Sequence, residues 1–205
     1  DMNTPELRGT CSLTMAPISE PMSTLRLDAK SMRIQGVACE GYEVASQHDG
    51  RVMTVTFTPP VPVGQDVTLV TRYEVSDPMY GLIWTPESPE WPGRPAQIHT
   101  QGEPETNSYW FPCHDSPNEK LTTEVLVTLP AGYLVSSNGR LVSHEASIRT
   151  VEGAGGSVQM KPAETWHWRQ DKPHAAYLVS VVVGAFDVVD VGPPTLSMPV
   201  YVPPG

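Results

Sequence analysis

Residues 100–120 combine carboxylates, aromatic side chains and prolines, in a chain that elsewhere tends to alternate apolar and polar residues. Within this segment Glu103 follows Gly102, which lets another stretch of chain approach the backbone closely, and precedes Pro104, which holds it extended. A carboxylate on a stiff, extended segment is suited to binding a cation. The same residues also fit a solvated loop acid, which is the commoner situation of a glutamate.

The histidines do not form a metal-binding set. His144 and Glu145 begin like the zinc motif His-Glu-x-x-His, but Ile148 stands where the second histidine must lie one helical turn later. His167 and His174 flank an alternating stretch and a loop without a third partner, whereas a zinc site takes at least three protein ligands. We therefore predict that this chain has no metal site.

The three cysteines, Cys11, Cys39 and Cys113, have spacings too wide and irregular for a disulfide framework or a CxxC metal site. A single Cys11–Cys39 bridge and three reduced, buried thiols both stay open. Cys113, His114 and Asp115 have the composition of a cysteine-protease set, but consecutive residues of an extended chain point to opposite faces. We interpret Cys113 as a structural residue.

Period-two alternation predicts the strands that position these residues. The alternating sets are Met53/Val55/Phe57, Val67/Leu69/Thr71/Tyr73/Val75, Cys11/Leu13/Met15, Leu25/Leu27/Ala29, Val125/Val127/Leu129 and Trp166/Trp168. Residues 177–183 are almost continuously apolar and predict a central strand covered on both faces. Proline-rich stretches at 59–62, 86–95 and 193–205 predict stiff loops.

Helix signals are weak, because no proline-free window of about twelve residues follows a 3.6-residue period. The one helical turn or two that we expect lies at 116–121, where Pro117 suits a first turn. The predicted fold class is all-β, an antiparallel multi-sheet sandwich or saddle with at most one or two short helical turns. We predict one domain over residues 1–192 and a proline-rich exit linker over 193–205.

The net charge of −10 and the absence of any cluster of Lys and Arg argue against a nucleic-acid partner and an anionic membrane surface. No apolar run reaches the roughly 18 residues of a membrane span, and no signal segment opens the chain. The chain begins with Asp1 rather than Met, so we expect a mature, trimmed or excised piece. The compartment and the oligomeric state stay open.

The order Thr-Gln-x-Glu-Pro followed by Phe-Pro-Cys-x-Asp-x-Pro-x-x-Lys resembles the signature of the non-catalytic amino-terminal domain in the aminopeptidase N family of zinc metallopeptidases. The matching residues are Thr100, Gln101, Glu103, Pro104, Phe111, Pro112, Cys113, Asp115, Pro117 and Lys120. Further blocks resemble the family at Gly81-Leu82, Ser137-Asn138, Tyr177-Leu178-Val179 and Gly184-Ala185-Phe186. The resemblance covers nearly the whole chain, with the first strand apparently missing.

The resemblance implies a substrate-binding role without catalysis. In the family, zinc is held by two His and one Glu in a following thermolysin-like domain, so this chain is expected to bind no cofactor itself. Glu103 is implied to bind the α-amino group of a peptide, Gln101 to line the adjacent pocket, and Gly102 to belong to the same site. The implied partners are a peptide N-terminus and the downstream catalytic domain in the same chain.

The loop also departs from the family pattern. Thr106, Asn107 and Ser108 stand where Asp-Ala-Arg is common, and His114 and Ser116 stand where Phe and Glu are frequent. The contacts that support the loop are therefore expected to differ, and side-chain specificity cannot be carried over.

Two other functions stay open. The domain could serve a catalytically dead member of the superfamily as a protein-binding or assembly module. A free-standing carbohydrate-binding sandwich is the third candidate, suggested by five tryptophans and an acidic surface.

Overall fold

Alternating apolar and polar residues form antiparallel strands over most of the chain. The computed structural model of the protein describes residues 2, 4–152 and 157–204. No helix in these residues reaches seven residues, and the prediction of an all-β fold is confirmed. The strands are β1 (Glu6–Met15), β2 (Met22–Asp28), β3 (Met32–Cys39), β4 (Glu43–His48), β5 (Val52–Val61), β6 (Val67–Ser76), β7 (Gly81–Thr85), β8 (Gln97–Gln101), β9 (Leu121–Pro130), β10 (Leu134–Ser137), β11 (Arg140–Glu152), β12 (Val158–His174), β13 (Val181–Gly184), β14 (Asp187–Asp190) and β15 (Pro199–Val202).

The first core lies between two three-stranded sheets, with strand orders β1-β6-β3 and β2-β5-β4. Met53, Val55 and Phe57 of β5 face Leu69 and Tyr73 of β6 across this core, and all five are at most 5% exposed. Side chains of a strand alternate between faces, so the threonines between the apolar residues of β5 point away from the core. These two sheets form the N-terminal sandwich.

The second core lies between a four-stranded sheet, β10-β13-β8-β7, and a three-stranded sheet, β11-β12-β9. Its buried residues include Val135, Val181, Val183, Leu129 and Trp166. Strand β8 is central in the first of these sheets, between β13 and β7. The segment that follows β8 therefore starts from a strand that is hydrogen-bonded on both edges.

The end of the described chain forms a hairpin in which β14 pairs with β15. Part of the range 193–205, for which we predicted a linker, thus contributes a strand, and the domain boundary at 192 stays a prediction. Among the residues that the structure describes, no helix is long and apolar enough to cross a membrane.

Two local predictions are wrong. The segment at 116–121 forms only a turn, in which the Glu119 N–H donates to the Ser116 carbonyl over 3.4 Å, and the two 3₁₀ helices of the described residues lie at Asn107–Tyr109 and Ala176–Leu178. The stretch at 59–62 is not a loop, because β5 continues to Val61. Its prolines are tolerated because the pairing with β2 is irregular there, so a missing N–H breaks no regular ladder.

The prediction of a central strand over 177–183, covered on both faces, is also corrected in part. Its first residues belong to the 3₁₀ helix Ala176–Leu178, and β13 begins only at Val181. The strand is central, as predicted, but Val182 is 36% exposed on the face away from the second core. The run is interrupted because the carbonyls of Ala176 and Val179 accept hydrogen bonds from a buried side chain, that of Asn107.

Candidate functional site

The candidate site is the loop that follows β8, which we call the Glu103 loop and define as residues 102–106. Its two ends are joined, because the Thr106 N–H donates to the Gly102 carbonyl over 2.8 Å. The Thr106 hydroxyl also donates to the carbonyl of Gln101, the last residue of β8. The loop is therefore short and closed, and it carries Glu103 and Glu105 exposed to solvent.

Gly102 is buried, and the space around it admits no side chain. A Cβ atom there would overlap the carbonyl oxygen of Tyr177 and lie 2.8 Å from the side-chain amide of Asn107. Close approach between two segments is a common structural reason for a glycine. Gly102 thus brings the Glu103 loop against the 3₁₀ helix Ala176–Leu178.

Asn107 attaches the loop to the second core. Its side chain is fully buried, and its Nδ2 donates to the carbonyls of Ala176 over 2.7 Å and Val179 over 2.8 Å. Its Oδ1 accepts a hydrogen bond of 2.8 Å from the indole N–H of Trp110. Asn107 is one of the residues that depart from the family pattern, and it joins the end of the loop to the segment 176–179 and to Trp110, which packs against the second core.

Asp28 and Asp115 attach the following segment to the N-terminal sandwich. Asp28 and Cys113 exchange backbone hydrogen bonds of 2.7 and 3.0 Å, and the Asp115 N–H donates to the Asp28 carboxylate over 3.1 Å. The Asp115 side chain is 2% exposed, and its Oδ2 accepts the Ser108 N–H over 2.9 Å. The chain on the C-terminal side of the loop is therefore fixed to the end of β2.

Lys30 makes a third attachment, which the sequence did not predict. Its Nζ donates to the Glu105 carbonyl over 2.9 Å and lies 5.5 Å from the centre of the Tyr109 ring. Its backbone N–H donates to the Ser108 carbonyl over 2.8 Å. Lys30 and Glu105 are 75 residues apart, so no local sequence pattern indicates this contact. Asn107, in contrast, stands out in the sequence because it departs from the family pattern.

The three predicted substrate-binding residues are consecutive in the chain and lie at the end of β8 and the start of the Glu103 loop. Gln101 and Glu103 have exposed side chains on either side of buried Gly102, and the Gln101 side-chain amide donates to the Glu103 carbonyl over 3.4 Å. The Glu103 carboxylate has no hydrogen-bond donor and no cation as partner among the residues that the structure describes. An exposed, unpaired carboxylate on a fixed loop is free to bind a cationic group.

The histidines considered as metal ligands, His144, His167 and His174, lie on strands β11 and β12. His144 lies on β11, stacks on Trp166 at 3.7 Å between ring centroids and contacts Glu164 at 3.3 Å. His167 contacts Glu124 at 2.9 Å. Within residues 2, 4–152 and 157–204, no group of three or more His, Cys, Asp or Glu side chains could hold a metal ion.

All three cysteines are free thiols, so Cys11 and Cys39 are not bridged in this structure. Burial raises the pKa of the Cys11 thiol to about 11. Burial, followed by the nearby carboxylates of Asp115 and Asp28, raises the pKa of Cys113 well above its ordinary value. A thiol with a raised pKa holds little of the nucleophilic thiolate at neutral pH, which supports a structural role for Cys113.

Together these features define a β-domain whose acidic loop is fixed to two separate cores. The chain belongs to the peptidase M1 N-terminal domain family, whose profile matches residues 1–178. This match confirms the resemblance to the zinc metallopeptidases that the loop motif indicated.

Aminopeptidases are among the relatives. Mouse aminopeptidase RNPEPL1 is 30% identical over 146 residues, which cover 70% of this chain and 18% of the relative. Rat aminopeptidase B is 24% identical over 147 residues, which cover 71% of this chain and 20% of the relative. The matched part of the chain thus spans about a fifth of the length of these relatives.

Solved structures share the fold. An M1 zinc metallopeptidase from Deinococcus radiodurans superposes with a TM-score of 0.71 at 22% identity, covering 96% of this chain and 42% of that chain. Yeast LTA4 hydrolase in complex with bestatin superposes with a TM-score of 0.71 at 17% identity, covering 94% of this chain and 28% of that chain. At these identities the similarity shows the fold alone.

Proposed function

We propose that this chain is the non-catalytic N-terminal domain of a zinc aminopeptidase that removes N-terminal amino acids from peptides. In this proposal the domain supplies part of the substrate pocket, and the Glu103 carboxylate binds the α-ammonium group of the peptide. The family membership and the aminopeptidases among the relatives support this assignment.

The observation that carries the proposal is the state of Glu103 in a fixed loop. Its carboxylate is exposed and unpaired within the described residues, while Thr106 closes the loop and Asn107 attaches it to the second core. A group that is already held in place loses little conformational entropy when a ligand binds. Glu103 is therefore suited to recognising a cation at a defined position.

An aminopeptidase needs a group of this kind, because it must select a free α-ammonium and place the first peptide bond at a set distance from it. A hydrogen bond that involves a charged group contributes ~1.5–3 kcal/mol. Binding the ammonium at one point also orients the reacting carbonyl, which lowers the activation barrier by positioning. The same contact disfavours internal peptide segments, which have no free amine.

Gln101 and Gly102 complete this part of the proposed pocket. Gln101 lies at the end of β8 with an exposed side chain, next to Glu103, where it would line the wall around the first residue of the peptide. Gly102 contributes by its lack of a side chain, which lets the loop pack against Tyr177. In this proposal, residues 101–103 carry both the ammonium-binding carboxylate and part of the pocket wall.

The proposal assigns hydrolysis to a following thermolysin-like domain that holds zinc through two His and one Glu. The described residues offer no group of ligands that fits a zinc ion, so no step of the reaction is assigned to a metal on this domain. The contribution of this chain is to bind and orient the peptide.

Separating this domain from the remainder of the protein tests this division of roles. Purified residues 1–205 are expected to contain no stoichiometric zinc and to hydrolyse no amino-acid 4-nitroanilide, whereas the protein with its catalytic domain does both. Metal analysis and initial rates measure the two properties. Turnover that follows the isolated domain through purification would refute the proposal, and a complete protein lacking both zinc and turnover would favour the assembly module.

A further inference from the structure

We propose that Lys30 is a positioning residue for Glu103, because its ammonium group fixes the Glu103 loop to the N-terminal sandwich. The inference rests on the proposed function of Glu103 and adds a second region of the chain to the same site. Lys30 lies in the turn between β2 and β3, far in sequence from the loop.

Lys30 contacts the chain on both sides of Thr106 and Asn107. Its Nζ donates to the Glu105 carbonyl over 2.9 Å, and its backbone N–H donates to the Ser108 carbonyl over 2.8 Å. The Nζ contact is with Glu105, an exposed residue of the Glu103 loop to which the Asn107 side chain does not bond. Removing the ammonium group would remove the attachment at Glu105 while leaving the attachment at Ser108.

The turn that carries Lys30 is itself well fixed. Ala29 is fully buried, its N–H donates to the Arg51 carbonyl over 2.8 Å, and its carbonyl oxygen lies 2.7 Å from the His48 Nε2 atom. The Ser31 N–H donates to the Gly50 carbonyl over 3.0 Å. The turn between β2 and β3 is thus attached to the neighbouring turn between β4 and β5, which gives Lys30 a rigid base.

The short distance along the chain between Glu105 and Glu103 makes this contact relevant to binding. Only Pro104 separates the two residues, and the proline ring fixes its own φ angle near −65°. The fixed φ angle removes one of the backbone torsions that could absorb a shift of the Glu105 carbonyl before it reaches Glu103. The Lys30 ammonium consequently helps to set the position of the Glu103 carboxylate.

The charges around Lys30 are consistent with this role. Burial is the main cause of the raised pKa of Cys113, and the carboxylates of Asp115 and Asp28 raise this pKa further. The Lys30 ammonium lowers the same pKa, so it lies within electrostatic range of this acidic region. Among the described residues Lys30 forms no salt bridge, and the Nζ hydrogen bond goes to a backbone carbonyl. A bond to the backbone fixes the path of the chain.

The test uses the protein with its catalytic domain and three variants of Lys30. Lys30→Met keeps most of the aliphatic stem, Lys30→Gln keeps a donor without charge, and Lys30→Arg keeps both charge and donor. We expect Lys30→Met to raise KM for an amino-acid 4-nitroanilide about fivefold, because one hydrogen bond is lost, and to keep kcat within about twofold of wild type. Lys30→Arg should restore KM, and Lys161→Met, at an exposed lysine on β12, should leave it unchanged.

The decisive comparison adds Glu103→Ala. If Lys30 acts through Glu103, Lys30→Met should change KM little in the Glu103→Ala background, because coupled residues are not additive. The positioning role is overturned if Lys30→Met raises KM equally in the wild-type and Glu103→Ala backgrounds. It is also overturned if Lys30→Met leaves the KM of the wild-type background unchanged while Glu103→Ala alone is impaired. Both outcomes leave the proposed function intact. Wild-type kinetics of Glu103→Ala would refute the proposed function itself. If Lys30→Met fails to fold, KM of Lys30→Gln is compared in the same two backgrounds.

Discussion

Glu103→Ala, in the protein with its catalytic domain, is expected to lower kcat/KM for an amino-acid amide on the order of 10²-fold, or ~3 kcal/mol. The loss arises because the substrate ammonium no longer meets a carboxylate held at a fixed place, so both binding and orientation suffer. Zinc content should not change, since the described residues hold no group of metal ligands. Initial rates and metal analysis on the same preparation measure the two effects.

The Glu103 loop supplies a matched control for this experiment. Glu105 is also an exposed acid of the loop, and its contact with Lys30 uses only the backbone carbonyl, which alanine retains. Glu105→Ala is therefore expected to stay within about twofold of wild type, because a solvated surface charge contributes little. Equal losses in the two variants would indicate a general effect of loop charge, and unaltered hydrolysis by Glu103→Ala would exclude the assigned role.

Asn107→Ala is expected to lower the free energy of unfolding by about 3 kcal/mol, the second large effect. The substitution removes three hydrogen bonds and leaves the Val179 carbonyl and the Trp110 indole N–H without their partner, whereas the Ala176 carbonyl keeps the bond from the Val179 N–H. Each such bond contributes about 1 kcal/mol, and a buried group left without a partner costs more. Denaturant unfolding of residues 1–205 measures the change.

Asn118→Ala serves as the control for this second prediction. Asn118 is exposed in the turn before β9, so its replacement should stay within ~0.5 kcal/mol of wild type. A loss below about 1 kcal/mol for Asn107→Ala would show that the loop does not depend on this amide.

The strands were the most predictable part of the structure. In β5 and β6, side chains alternate between a buried and a more exposed face, so the apolar pattern at Met53, Val55 and Phe57 identifies both the strand and its inward face. The motif around Glu103 likewise identified the family, because the order of its residues reflects a shared fold. Both signals are local in sequence, which is why they could be read directly.

The supports of the loop could not be predicted, because they join distant segments. Asn107 meets carbonyls that lie 69 and 72 residues away, and Lys30 meets one 75 residues away. The same contacts explain why the apolar run at 177–183 does not form one strand: its first residues face the Asn107 amide as a 3₁₀ helix. Tertiary hydrogen bonds of this kind override local strand propensity.

The most direct test of the account asks whether Glu103 recognises the α-amino group itself. kcat/KM is measured for an aminoacyl 4-nitroanilide and for the matched compound whose amine is replaced by hydrogen, in wild type and in Glu103→Ala. Wild type is expected to prefer the amine on the order of 10²-fold more strongly than Glu103→Ala does, because the variant loses a charged contact of ~3 kcal/mol. The same preference for the amine in both proteins would contradict the account.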